Sequence, residues 1–447
     1  MPAVRMTSVC PMSMTPTTAT CLTRDSREPT PARTGAEEAE AARTGERATH
    51  LRPRGSSQGG LRQYNERVVL QAVRLHGALA SAEIARQTQL TAQTISLITK
   101  RLLDDGLLLK GKPQRGKVGQ PSVPLSLNPD GAYAVGIKVG RRSMDVLLAD
   151  FTGAVRERSS LEYRFPEPEA LLAEMGRRLA ALQRKLGPKG RERVQGVGIA
   201  APLAIGGWQQ LLGFPPTLAA RWNALDLRSA VQALSPWPVT LAKDTAAACV
   251  AELVAGRGRS VRSFLYIFVD TFIGGGLVLG SQLHAGATGN AGALGSLPLW
   301  LARGESDPTP AQLLGVASLL NLEQAWGGAG LALDADARGL ALRAPWRVHT
   351  ELWLAQAGAA IAQAINGAAC LLDLEGVILD GSFSRELLAA LLAATQHSLP
   401  RYSWEGVAKP PLLPGTIGSD ARALGGALLP LYASFAPDRE LFLKVAV

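Results

Sequence analysis

From residue 61 onward the apolar positions fall into three short helical patterns. Val68, Val69, Ala72 and Val73 recur at helical spacing, and that segment stops at Gly77. Ser81 stands where an N-cap belongs, ahead of AEIARQT. Leu90 and Thr91 then form a turn into a third segment, AQTISLITKRLLDD, closed by Gly106. Helix, helix, tight turn, helix over residues 61–106 is the order of a helix-turn-helix. In the third helix Ile95, Ile98, Leu102 and Leu103 share one face and are expected to be buried, which leaves Gln93, Ser96, Leu97 and Lys100 on the other. The following run, LLLKGKPQRGKVGQPSVPLSLN, predicts two short strands around a turn with Lys110, Lys112, Arg115 and Lys117. That is a β-wing, with a basic unstructured linker as the alternative.

Beyond Pro129 the pattern changes. Strand-like apolar runs (AVGIKVG, MDVLLADF, VQGVGIAAP, VTLAKD, SFLYIFVD, GGLVLG, GVILDGSF) alternate with longer helical stretches such as PEALLAEMGRRLAALQRKL and ELWLAQAGAAIAQAINGAACLLD. Such alternation predicts α/β layers. Residues 1–60, rich in Thr, Pro, Ala, Arg and Glu, offer few bulky apolar groups and predict a disordered leader, or a start codon assigned too far upstream. The expected division is a leader over 1–60, a winged helix-turn-helix over 61–128 and an α/β body over 129–447.

Charge sharpens this division. The net charge of +10 is not spread evenly: residues 1–50 hold six Arg against six acids, residues 51–142 hold 15 Lys and Arg against five acids, and residues 143–447 hold 26 of each. Clustered cations release counterions from a phosphate backbone, so the basic stretch points to a double-stranded DNA partner. At 447 residues, 47% of them apolar, the chain is too large for a disulfide knot. Its four cysteines form no C-x-x-C pair, and the five histidines are scattered, so no metal site or cofactor is expected. The uncharged run 271–302 is broken by glycines, His284, Asn290 and Pro298 and is not read as a membrane span. The N-terminus lacks the unbroken apolar core of a secretory signal, and a cytoplasmic location is the expectation.

The outer face of the third helix carries chemistry suited to the major groove. Gln93 can bond adenine through two contacts, Ser96 can serve several bases, Leu97 can touch a thymine methyl, and Lys100 can reach guanine or phosphate. Thr94 belongs to the same face, Thr91 is placed to cap the helix, and Arg101, Arg115 and Lys117 are expected to face phosphates. An ordinary solvent face on a small helical bundle is the alternative.

The basic helix-turn-helix is followed in order by GQPS, GIKVG, LLADFTG, LAKDTAAACVAE, FIGGGLVLGSQLHAGATGNAGALGSLPL, ILDGSFS and TIGSDARALGGALL. From about Leu61 to Leu431 this succession resembles the ROK family (repressor, ORF, kinase), in its transcription-factor branch. The resemblance implies a two-lobed, actin-like (ribonuclease-H-like) α/β body. Lobe one would comprise residues 129–245 plus a C-terminal helix near 416–435, and lobe two residues 246–415. It also implies a cleft where the family's kinases take a sugar and ATP and its repressors sense a sugar or sugar derivative, and assembly into a homodimer or homotetramer. Residues 116–121 resemble the linker by which family repressors approach the minor groove, with Gln120 where Arg is usual.

Departures from the family pattern argue against catalysis. The phosphate loop D-x-G-x-T is replaced by Lys138-Val139-Gly140-Arg141-Arg142, which removes the acid. The N-D pair reads Lys243-Asp244, so the base position is kept and its neighbour changed; Asp244 as a mere cap of a helix starting at Thr245 is the alternative role. The sugar-recognising G-x-A-G-E-x-G-H reads Gly289-Asn290-Ala291-Gly292-Ala293-Leu294-Gly295-Ser296, without its Glu and His. Losing those partners removes polar recognition of about 1–3 kcal/mol each. The Cys-rich zinc run of the family is missing as well.

The expected function is therefore a sequence-specific DNA-binding regulator, a repressor of carbohydrate-related genes, with effector contacts from Lys243, Asp244, Asn290, Gly292 and Ser296. A divergent sugar kinase with a DNA-binding head and an effector-insensitive regulator are the alternatives. Lys138, Arg141, Arg142 and Lys243 near the inferred cleft suit an anionic effector, or else Arg141 and Arg142 sit idle in an exposed turn. Gly274, Gly275 and Gly276 are expected to form a tight turn between strands rather than a phosphate cradle.

Overall fold

The structure, a computed structural model, describes residues 58–113, 122–207, 209–299 and 310–437. The leader up to residue 57 lies outside them. The first helix, α1 (Gln58–His76), begins ahead of the expected Leu61 and ends at Gly77, whose φ of +78° suits glycine. A short strand β1 (Leu79–Ala80) leads into α2 (Ser81–Thr88) and, through a turn, α3 (Ala92–Asp104). Ser81 is not the N-cap that its position suggests. Ala80 occupies the cap and Ser81 opens the helix, because Leu79 and Ala80 pair with Leu125 and Pro124.

Strands β2 (Leu108–Lys110) and β3 (Pro124–Leu127) run antiparallel and complete a sheet of order β1-β3-β2, the base of a wing. Its tip, with Arg115, Lys117 and Gln120, lies outside the described residues. Val69, Val73, Ile84, Ile95, Ile98, Leu102, Leu108 and Leu125 are buried together and hold the three helices and the sheet as one head.

The body contains two five-stranded sheets of identical design. Sheet one has the order β6-β5-β4-β7-β8, from β4 (Tyr133–Val139), β5 (Ser143–Asp150), β6 (Val155–Glu162), β7 (Val194–Ala201) and β8 (Val239–Lys243). Between β6 and β8 lie α4 (Pro168–Glu192), α5 (Gln209–Leu212), α6 (Pro216–Ala224) and α7 (Leu227–Gln232). The helix α8 (Asp244–Ala255) leads to sheet two, of order β11-β10-β9-β12-β13. Its strands are β9 (Phe264–Val269), β10 (Gly274–Leu279), β11 (Gln282–His284), β12 (Gly376–Gly381) and β13 (Leu412–Pro414). The remaining helices are α9 (Leu314–Ala317), α10 (Leu319–Gly328), α11 (Arg347–Leu372), α12 (Arg385–Ser398) and α13 (Ala421–Phe435). In both sheets the first three strands in sequence are antiparallel and the last two join in parallel, so one supersecondary plan is used twice.

Burial follows the strand period. Leu265, Ile267 and Val269 of β9 face α11 and α12, while Tyr266 and Phe268 face α8 and α13 on the other side. A strand buried on both faces reads as an unbroken apolar run, which is why β9 was legible. Strand β6, VRERSSLE, has an exposed, charged face at the edge of sheet one and gave no such signal. The triplet Gly274–Gly276 is neither a turn nor an open cradle. It opens β10, paired with Phe268, Ile267 and Tyr266, and a side chain on Gly276 would stand 2.6 Å from Cys249 of α8. Helix α11 is long and apolar enough to cross a membrane by composition, but Trp353, Leu354, Ile361 and Ile365 bury its inner side in the core beside sheet two.

Helix α13 brings the end of the chain back onto sheet one and α8 at van der Waals contact of backbone on backbone. A Cβ at Gly425 would lie 1.7 Å from the carbonyl oxygen of Ala247, one at Gly198 1.9 Å from that of Gly426, and one at Gly136 2.0 Å from that of Ala423. Only glycine permits this approach. Gly425→Ala is expected to lower unfolding stability by about 3 kcal/mol or more in urea titrations. Gly367→Ala, on the open side of α11 with nothing within 4 Å, should raise it by about 0.5–1 kcal/mol.

Candidate functional site

Two regions gather the residues with chemistry to offer. In the head, packing turns Ile95, Ile98, Thr99 and Leu102 of α3 inward and leaves Gln93, Ser96, Leu97 and Lys100 exposed. Thr99 takes the inner place expected of Leu103, which is half-buried, by donating its hydroxyl to the Ile95 carbonyl at 2.7 Å. Thr91 caps the helix: its Oγ1 accepts the Thr94 amide at 3.2 Å and lies 2.9 Å from the Thr94 hydroxyl. Thr94 is thereby occupied in the cap.

Leu97 is 67% exposed, a large apolar side chain for which the fold itself has no use. Arg101, expected on phosphates, is half exposed and also meets acids of the head: Nη1 lies 3.3 Å from Glu66 Oε1 on α1 and Nε 3.8 Å from Asp105. Arg62 joins Arg101 beside the α3 face: both line a shallow cavity of about 480 Å³ between α1 and α3 with Leu61, Asn65, Thr94 and Leu97.

The second region is a cleft of about 240 Å³ in the body. The β4–β5 turn supplies Arg141, the segment after β7 supplies Pro202 and Leu203, and the β8–α8 junction supplies Lys243 and Asp244. The loop after β9 adds Asp270 and Phe272, the loop at 290–296 adds Asn290 and Ser296, and α13 adds Arg422. Four of the expected effector residues, Lys243, Asp244, Asn290 and Ser296, thus meet here. Gly292 does not line the cleft. With φ at +73° it lies against β10, where a Cβ would meet Gly276 at 2.9 Å, so its role is to shape the loop. Asp244 is the first residue of α8 rather than the cap before it, and its Oδ1 accepts only the adjacent Thr245 amide, at 2.8 Å.

The pair that organises the cleft escaped the sequence reading. Buried Arg422 donates Nη1 to Asp270 Oδ2 and Nη2 to Ser382 Oγ at 3.1 Å, lies 4.0 Å from Asp244, and stacks 5.3 Å from the centre of the Phe268 ring. Asp270 and Arg422 are 152 positions apart, and only the fold brings them together. Burial pushes the Asp270 carboxyl up, but the Arg422 guanidinium, with Lys138 and the Thr271 amide, outweighs it and holds the group below the usual carboxylate range.

The other cations are not idle either. Lys138 is bound within sheet one, 3.0 Å from Asp145 and 2.5 Å from the Ser143 hydroxyl, and burial lowers its pKa. Arg142 grips both carboxylate oxygens of Glu323 on α10, at 2.8 and 2.6 Å. Arg141 stacks 4.7 Å from the centre of the Phe272 ring and reaches the Ala204 carbonyl at 3.4 Å, while its buried Nε has no hydrogen-bond partner. Burial lowers the pKa of both Arg141 and Lys243, with Asp244 opposing. The cleft therefore offers a carboxylate and an amide suited to hydroxyls beside two cations that lack full partners.

Arg422→Met would strand Asp270 without its counter-charge, and a loss of about 3–5 kcal/mol in denaturant unfolding is expected. In the wild type the folded pKa of Asp270 lies below its unfolded value near 3.9. Its contribution is complete above that pH and fades as the pH falls through the folded value, so stability measured from pH 6 to 2 should drop less steeply at the acid end in Arg422→Met.

Comparisons with known proteins fit this geometry. A xylose repressor of Caldicellulosiruptor bescii is 26% identical over 235 residues, covering 53% of this chain and 58% of the relative, so the match spans less than two thirds of that protein. A crystal structure described as a ROK family transcriptional regulator, homologous to the Escherichia coli MLC protein, superposes with a TM-score of 0.62 at 20% identity over 84% of this chain and 98% of its own. A ROK family glucokinase of Streptomyces griseus, solved with glucose and AMPPNP, superposes with a TM-score of 0.52 at 19% identity over 67% of this chain and 99% of its own. These likenesses establish the shared actin-like fold. The ROK family model matches residues 134–432, more than half of the sequence, and the chain belongs to the ROK family.

Proposed function

We propose that this protein is a sugar-responsive, DNA-binding transcriptional regulator, a repressor of carbohydrate-related genes, that works in the cytoplasm as a homodimer or homotetramer. The observation that carries the reading is the face of α3. Gln93, Ser96, Leu97 and Lys100 are all exposed, on a helix whose opposite side is sealed into the head and whose start is fixed by the Thr91 cap. Such a helix is rigid where it is held and unspent where it would read a groove. The repressor relative and the regulator structure support the same assignment.

In this reading the cleft holds the effector. Asp244, Asn290 and Ser296 would take hydroxyls, and Arg141 and Lys243 would take a negative group, so an acidic or phosphorylated sugar suits the lining better than a neutral hexose. Phosphoryl transfer is not part of the function. Lys138 stands where the family's loop acid would be and is bound to Asp145, and Arg422 lies beside Asp244.

Operator titrations over a range of salt should show a slope reflecting several phosphate contacts. Lys100→Ala is expected to reduce that slope by about one, whereas Gln93→Ala should cost about 1–3 kcal/mol at one base pair and leave the slope alone. Affinity independent of salt would refute the assignment. Among neutral, phosphorylated and carboxylated sugars, the anionic ones should raise the melting temperature, Lys243→Met should remove the rise, and none should drive ATP consumption. Stabilisation by neither class identifies a regulator that has ceased to sense sugars.

A further inference from the structure

A separate cavity of about 180 Å³ opens where α1 of the head meets α8 and α13 of the body. Leu253, Leu431 and Phe435 form its apolar walls, and Gln71, Arg74, Arg259 and Gln282 contribute polar groups. Arg259 is fixed by donating Nη2 to the carbonyls of Arg74 and Leu75, at 3.0 and 2.7 Å, where the last turn of α1 leaves acceptors unpaired. Arg74 spreads its guanidinium over the Phe151 ring, 5.2 Å from the centroid, and Phe151 in turn meets Phe435 edge-on at 4.7 Å.

Neither Arg74 nor Arg259 forms an ion pair with an acidic side chain among the described residues. Burial, and then the like charge of Arg259, press the pKa of Arg74 down to about 10. Arg74 is largely desolvated while Arg259 stands exposed beside it, so the buried guanidinium carries a burial cost and a like-charge neighbour that an anion joining the two would relieve. Guanidinium groups are the side chains best shaped to hold oxyanions through paired hydrogen bonds.

We propose that this cavity is an anion site that binds a phosphate group, as the free ion or as a small phosphate monoester, between Arg74 and Arg259 at the joint of head and body. It is distinct from the effector cleft and does not depend on how that cleft is read. Because Arg259 also secures the end of α1, an occupant here stiffens the junction through which the head is carried.

The test titrates the full chain with inorganic phosphate and with glycerol 3-phosphate at constant ionic strength, by calorimetry and thermal melting. Saturable binding with a rise in melting temperature is expected, weakened at least tenfold in Arg74→Gln and less in Arg74→Lys. Tighter binding of one probe assigns the ion or the ester. Should Arg74→Gln fail to fold, Gln71→Glu places a carboxylate at the cavity and should abolish binding with both cations retained. Three outcomes overturn the proposal. One is binding unchanged in Arg74→Gln or Gln71→Glu, and another is binding lost in Lys243→Met instead, which places the phosphate in the cleft. The third is binding that is absent in the wild type and appears in Asp438→Asn/Glu440→Gln, which assigns the cavity to acids of the chain itself just beyond Pro437.

Discussion

The body depends on one helix lying where no side chain fits. Helix α13 touches β4 and β7 through Gly136 and Gly198, and touches α8 through its own Gly425, with backbone against backbone. Interiors are packed to crystal-like density, so such contacts leave little freedom for small displacements. They fix the height of α13 above sheet one, and with it the position of Arg422 in its first turn. The ion pair with Asp270, and so the floor of the cleft, inherits its geometry from three glycines that do not line the cleft.

Charge is arranged on the same principle of prior commitment. Lys138 is answered by Asp145, Arg142 by Glu323, Arg422 by Asp270 and Arg101 by Glu66. Three of the cations that stand out in the sequence, Arg101, Lys138 and Arg142, are therefore held by acidic partners within the fold. At the candidate sites, Lys100 and Arg62 beside α3, Arg141 and Lys243 in the cleft, and Arg74 with Arg259 at the joint have no acidic side chain within ion-pair distance among the described residues. Ligand chemistry is to be sought among these, since a paired and buried charge has little left to give.

Much of this was legible in one sequence. The inner stripe of α3, the cap at Thr91 and the strands β4, β5, β7, β8, β9, β10 and β12 all announce themselves, because burial on one face or on both imposes a period that composition cannot hide. Strand β6 was silent for the opposite reason, since an edge strand with one wet face can be written in Arg, Glu and Ser. Ser81 looked like a cap because local propensity favours it there, but pairing of Leu79 and Ala80 with β3 overrode that preference. Gly274–Gly276 read as a turn, yet the triplet is a strand thinned to admit α8. Asp270 and Arg422 could not be read at all, because their meaning lies in a contact between distant segments.

The path of α13 has a mechanical side. Its first turn holds Arg422 against Asp270, and its last carries Phe435 beside Phe151 while the neighbouring Ala436 carbonyl accepts Arg67 of α1 at 3.3 Å. Fifteen residues at about 1.5 Å each make a rod of about 22 Å. This one helix, held through its first half by glycine contacts and carrying Pro430 in its third turn, thus has one end in the cleft and the other against the domain that carries α3. The cleft and the head therefore share one continuous helix, with no loop between the Arg422 end and the Phe435 end.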